Sequence, residues 1–178
     1  AIKIVEPSLN PKIRWPLSVE LDGSKVSGVL VESHLVEQVG ENKEHFAVGI
    51  GINVNSEVCR NSSFSQDVTS LRCSVRHLVD RERLLAEVCR RLEMLLTEYQ
   101  TAAIKREYLS LASNTAAVGA DVSILNKADK KHLTDGTVTD ITPTMSLIVQ
   151  AMNGSTLELS PNGIAVVFPK GRRYRSEL

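Results

Sequence analysis

Lys25 stands three residues before Gly28 in "SKVSGVLVE", at the start of an alternating apolar stretch. An ammonium there could neutralise a carboxylate and a phosphate held close together, provided the strand presents it to a cleft. Gly23 and Gly28 would let a flat ligand approach the backbone. A second place is "GIGIN" at 49–53. Glycines such as Gly51 inside an apolar strand weaken it and often mark the close approach of a ligand or another backbone. Asn53, at the end of that strand, could offer an amide to a phosphate or ribose. Each place also has a plain alternative. Lys25 after a turn can be an ordinary solvated lysine, and 49–53 can be a packed strand ending in a turn. Other chemistries find no footing. The third glycine of a dinucleotide fingerprint is missing after "GIG", and no serine lies in a Gly-x-Ser-x-Gly elbow.

These residues need strands to hold them. "LSVEL" at 17–21 alternates, "DGS" at 22–24 is a turn, and "KVSGVLVESHLV" continues as a longer strand, so the three predict a hairpin. "GENKEH" at 40–45 reads as a polar break. "FAVGIGINVN" at 46–55 reads as a third strand, nearly continuous in apolar residues except for its glycines and so central in a sheet, needing cover on both faces. "DVTSL" at 67–71 is a helix entry with Thr69 or Ser70 as cap. Asp80 caps a second helix, whose stripe is Leu84, Leu85, Val88, Leu92, Leu95, Leu96 and Tyr99. "IKREYLSLA" extends or follows it. The texture changes near Ser113. From there "DVSIL", "DGTVTDIT", "SLIVQA", "STLELS" and "GIAVVF" are short strands. Turns at Asp135-Gly136, Asn153-Gly154 and Asn162-Gly163 predict a small antiparallel barrel. The expected fold is α+β. Residues 1–114 would form part of a mixed sheet with packed helices, and 115–178 a small antiparallel β-barrel, with the boundary near 113–118.

The 178 residues are 42% hydrophobic and 24% charged, which suits one or one and a half globular domains. Lysine plus arginine equal aspartate plus glutamate at 21 each, so no electrostatic case exists for a nucleic-acid partner. The basic "PKGRRYR" reads as a solvated tail. No stretch reaches the ~20 apolar residues of a membrane span, and no signal peptide opens the chain. Cys59, Cys73 and Cys89 give neither zinc-ligand spacing nor a readable disulfide framework, which points to a reducing, cytoplasmic compartment. The scattered His34, His45, His77 and His132 do not suggest a metal site. The chain opens at Ala1 rather than Met, as a fragment or a processed product would.

In order, the pieces are Trp15-Pro16, an Asp-Gly turn, "SKVSGVLVE", "VGIGINVN", "VTSL", an amphipathic helix and a small all-β module. That series resembles the biotin protein ligase family. The matches are Trp15 and Pro16; Lys25, Gly28, Leu30 and Glu32; Gly49, Gly51, Ile52 and Asn53; and Thr69, Ser70 and Leu71. They cover the second half of a catalytic domain and a C-terminal module. The resemblance implies a two-step reaction. Biotin's carboxylate attacks the α-phosphate of ATP, giving biotinyl-adenylate and pyrophosphate. The adenylate then biotinylates a lysine of a biotin carboxyl-carrier domain. It implies Lys25 as the neutralising cation, and Trp15, Gly28, Gly51 and Asn53 as substrate-binding positions. It also implies Mg²⁺ with the nucleotide.

Two departures stand against that pattern. The family has Asn-Asp after Trp-Pro, where this chain has Leu17 and Ser18, so a carboxylate that could organise the adenylate or its metal is absent at Ser18. The family's glycine- and arginine-rich adenylate loop belongs upstream and has no counterpart here. The chain alone is therefore expected not to make biotinyl-adenylate. It would be part of a longer protein, be completed by a second chain or by self-association, or be a degenerate homologue. A lipoate-type ligase and a non-catalytic binding module on the same scaffold are the alternatives.

Overall fold

The structure is a computed structural model that describes residues 1–38, 41–60, 68–98, 101–112, 117–129, 131–163 and 165–170. Two antiparallel sheets and four helices make an α+β fold among these residues. The first sheet has the order β1 (Lys12–Arg14), β2 (Ser18–Leu21), β3 (Ser24–Gln38) and β4 (Glu41–Ile52). The expected hairpin is present. Asp22 and Gly23 both take positive φ, 48° and 81°, as a two-residue turn between β2 and β3 requires.

The expected break at 40–45 is corrected. Glu41 to His45 lie in β4 and pair with His34 to Gln38 of β3. Antiparallel pairing uses only backbone N–H and C=O groups, so a polar sequence can extend the ribbon. The central placing of 46–55 is corrected too, because among the described residues β4 is the edge of its sheet. Its apolar run conceals a period of two. Phe46, Val48, Ile50 and Ile52 share one face, while Ala47, Gly49 and Gly51 share the other. The first face is open, with Phe46 62% exposed.

Helix α1 (Ile2–Val5), α2 (Leu71–Val75) and α3 (Arg81–Glu98) pack on this sheet. Ile2, Val5, Leu9, Leu21, Val26, Leu71, Val79 and Leu84 form the first core. Ser70 caps α2 by accepting from Cys73 N–H, and Asp80 caps α3 by accepting from Arg83 N–H. Of the expected α3 stripe, Leu84 is buried, but Leu85 and Leu96 are exposed, and Tyr99 lies outside the described residues. Helix α4 (Thr101–Leu111) follows.

The second sheet has the order β8 (Thr156–Leu159), β7 (Leu147–Ala151), β6 (His132–Ile141), β5 (Asp121–Asn126), β9 (Ala165–Pro169). Five strands form, but the expected barrel does not close among the described residues, since β8 and β9 end the order without pairing. Both are short. Bulges at Ile124/Leu125 and Val138/Asp140 curl the sheet instead around Val122, Ile124, Val138, Ile141, Leu147, Val149 and Val167. The turns at Asn153-Gly154 and Asn162-Gly163 are present. The turn expected at Asp135-Gly136 is corrected, since both residues lie inside β6. A Cβ on Gly136 would stand 2.6 Å from the Gln150 carbonyl oxygen and from Val149 Cγ1. Gly136 is there for close approach between strands, not for a turn. Among the described residues no helix is long and apolar enough to cross a membrane.

Candidate functional site

The two sheets meet over a cleft of about 690 Å³. Its floor is largely glycine backbone, with the exposed Leu30 side chain on the same face. Gly28 of β3 pairs with Gly51 of β4 on one side and with Ser18 of β2 on the other, and Gly49 continues the floor beside Leu30. Pro16, Leu17 and Ser18 form one wall. Lys25 leans over the floor. Its Cε and Nζ lie 3.4 and 3.5 Å from the place a Cβ on Gly28 would occupy. Lys127, exposed on the turn after β5, lines the cleft's open rim from the side of the second sheet. The described lining thus carries two ammonium groups and no carboxylate. Such a surface suits an anionic ligand with a flat part on the glycines.

The expected site residues do not all lie in this cleft. Lys25, Gly28 and Gly51 line it. Asn53 sits just beyond, where its side-chain amide donates to the Thr69 carbonyl at 3.1 Å. Thr69 N–H donates to the Lys25 carbonyl, and Leu71 N–H to that of Asn53, both at 2.9 Å. The "VTSL" segment therefore stitches the backbone of Lys25 to the end of β4. Trp15 is placed differently from the expected substrate contact. It is buried in the core of the second sheet, and its Nε1–H donates to the Met145 carbonyl at 2.8 Å. An indole there bolts the second sheet to the Pro16–Ser18 wall.

Two features escape sequence reasoning. Lys127 reaches the cleft only because the second sheet packs where it does, and "NKADKK" carries no local signal of that. Cys59 and Cys73 form a disulfide, although the spacing of the cysteines shows no readable framework, while Cys89 is free and exposed. The bond ties the short 3₁₀ turn Val58–Arg60 to α2, a contact between segments that spacing does not reveal. It also removes the cysteine pattern as support for a reducing compartment.

Fold and cleft together define an α+β architecture with a glycine-lined cleft beside a second β module. Within that class the chain resembles the biotin protein ligases in both sequence and fold. Over 112 residues it is 31% identical to a biotin--[acetyl-CoA-carboxylase] ligase of Paracoccus denitrificans, a match covering 60% of this chain and 45% of that protein. The chain thus spans about half the length of this curated relative. The apo biotin protein ligase from Aquifex aeolicus superposes with a TM-score of 0.69 at 23% identity, covering 94% of this chain and 68% of that one. The same enzyme in complex with biotin and ATP gives 0.67 at 22%, over 94% and 65%. No family model matches.

Proposed function

We propose that this chain carries the floor and the cation of a biotin protein ligase site, in which ATP activates biotin to biotinyl-adenylate for transfer to a lysine of a biotin carboxyl-carrier domain. One observation carries this reading. Lys25, Gly28 and Gly51, which stand in the segments that resemble the biotin ligase motifs, line one cleft. The Aquifex aeolicus ligase, solved in complex with biotin and ATP, supports the choice of ligands.

The chemistry asks little covalent help of the protein. A carboxylate oxygen attacks the α-phosphorus, the bond to the bridging oxygen breaks, and pyrophosphate leaves with that electron pair. A lysine amine of the carrier later attacks the acyl carbon and AMP leaves. Two anions must first be brought together. Lys25 lies over the floor where they would meet, and its ammonium would offset their repulsion. Gly28 and Gly51 would let the ligand lie on the backbone. Asn53 would act through the 69–71 segment that it holds against Lys25, and Trp15 by fixing the wall at Pro16–Ser18. We place a division into a partial catalytic domain, 1–114, and a C-terminal module, 115–178.

Among the described residues the cleft offers Mg²⁺ no protein ligand. No carboxylate lines the described cleft, and no group of three His, Cys, Asp or Glu among the described residues could hold an ion. Leu17 and Ser18 in the wall favour a second reading, a binding module that holds these ligands without catalysis. Calorimetric titration with biotin and with a non-hydrolysable biotinyl-adenylate analogue, paired with a biotinylation assay on a carrier domain, separates the two. Binding with turnover supports the ligase. Binding without turnover supports the module. Failure to bind either ligand overturns both. Lys25→Ala should weaken the analogue by roughly tenfold to a hundredfold, the weight of a lost hydrogen bond to a charged group.

A further inference from the structure

The Cys59–Cys73 disulfide lies on a second cleft, which shares no lining residue with the glycine-lined one. This cleft, of about 280 Å³, is lined by Glu57, Cys59, Arg72, Cys73 and Arg76. Cys59 is exposed and Cys73 half-buried. Arg72 pairs with Glu57 at 2.8 Å, while Arg76 has no carboxylate partner among the described residues. The described lining therefore carries a net positive charge beside a disulfide. Guanidinium groups draw in an anion and favour the ionised form of a nearby thiol. Two further contacts fit an opened bond. Cys59 N–H donates to Cys73 Sγ at 3.3 Å, which favours a thiolate there. The Ser56 carbonyl lies 3.8 Å from the same sulfur, where a Cys73 thiol would find an acceptor. An exposed disulfide in such a setting suits attack by a small anionic thiol.

The bond also closes a loop. Cys59 and Cys73 are 14 residues apart, and between them runs the 69–71 segment. Thr69 N–H ties that segment to the Lys25 carbonyl, and Leu71 N–H ties it to the Asn53 carbonyl. Ser70 Oγ adds a hydrogen bond to the Ser56 carbonyl at 2.6 Å. A cross-link limits the open states of the loop it closes, so cutting it makes the segment easier to detach. We propose that Cys59–Cys73 is an exchange site for a small anionic thiol, and that opening it loosens the segment bound to the Lys25 strand. A thiolate attacks Cys59 Sγ, forms a mixed disulfide there and displaces Cys73 as a thiolate. A second thiolate attacks the sulfur that the first brought in, releases Cys59 as a thiolate and leaves as the symmetrical disulfide. The protein gains two electrons and two thiols are oxidised to one disulfide. Neither part depends on what the glycine-lined cleft binds.

The test uses the 178-residue chain with Cys89→Ala, which leaves one cysteine pair. The folded, oxidised chain is treated with 2-mercaptoethanesulfonate, an anionic thiol, or with cysteamine, a cationic thiol of the same length. Opening is followed by alkylation and mass spectrometry, with rates taken per thiolate. The anionic thiol should be faster by roughly tenfold. Arg76→Gln should remove most of that advantage and leave cysteamine no slower, and Arg76→Lys should keep it. Amide hydrogen exchange then compares the oxidised chain with the reduced one and with Cys59→Ser, Cys73→Ser. Thr69 and Leu71 should exchange at least about tenfold faster without the bond, while Ile124 and Val149 of the second sheet keep their rates. Two free thiols in the air-oxidised chain overturn the proposal. So do equal rates for the two thiols, an Arg76→Gln variant that keeps the preference, or unchanged exchange at Thr69 and Leu71. Faster exchange in both sheets alike would mean that opening unfolds the whole chain, and that too overturns it.

Discussion

Asp135 shows how a polar side chain secures the second sheet. His132 Nε2 lies 2.7 Å from its Oδ1, and Ser123 Oγ donates to the same oxygen at 2.8 Å. These bonds, His132 first, hold the Asp135 carboxyl below the ordinary aspartate value of 3.8. A carboxylate with a depressed folded pKa contributes stability that is present above its unfolded value and lost as pH falls through the folded one. Thermal melting should therefore weaken as pH drops below about 3.8, and Asp135→Asn should flatten that acid limb. An unchanged acid limb in the variant would show that other carboxylates carry it. Gly136, its neighbour, tests packing instead of charge. The atoms a Cβ would meet are mainly backbone and a stiff valine. Gly136→Ala should cost about 1–3 kcal/mol, the usual price of overpacking, read as a lower denaturation midpoint.

Between the sheets, Trp15 sets where elements lie. Its indole adds to the second core, although β1 and β2 on either side of it belong to the first sheet. Trp15→Ala should destabilise the chain by about 3–5 kcal/mol through the cavity it leaves. Trp15→Phe should cost nearer ~1 kcal/mol for the hydrogen bond to Met145. If Trp15→Phe instead lost as much as the alanine variant, the indole N–H and not the packing would be the main tie. The hairpin at Asp22-Gly23, the caps Ser70 and Asp80 and the turn at Gly154 were legible because each depends on a few neighbours in sequence. So were Lys25, Gly28 and Gly51, which neighbouring strands bring together. The position of Trp15, the open edge of the second sheet, the Cys59–Cys73 bond and Lys127 were not. Each is decided by how distant segments pack, and the period of a strand or the identity of a turn does not encode that. Gly136 was misread for the same reason, since the signal for a turn and for close strand approach is the same missing side chain.

Among the described residues the first sheet and α3 leave an apolar face uncovered. Between β4 and α3 runs a groove of about 520 Å³ lined by Val48, Ile50, Ile52, Val54, Leu84 and Val88. Around it Phe46, Leu85 and Leu96 are 62%, 64% and 79% exposed. β4 pairs on one side only, so its other edge offers free backbone groups among the described residues. A face of large apolar side chains beside an open strand edge favours association over a solvated monomer. The solved Aquifex aeolicus ligase has more chain than this one, which covers 68% of it. We therefore expect the 178 residues to self-associate or to take up a second chain. Sedimentation velocity at micromolar concentration should show species heavier than the 19.5 kDa monomer. Phe46→Lys with Leu85→Glu should shift them back towards it, because both put charge on the uncovered face while leaving Leu84 and the first core intact. The same samples, assayed for biotinylation of a carrier domain, tie assembly to chemistry. A well-behaved monomer that biotinylates the carrier unaided would refute both expectations: that the face needs cover, and that Leu17 and Ser18 leave the cleft short of a catalytic group.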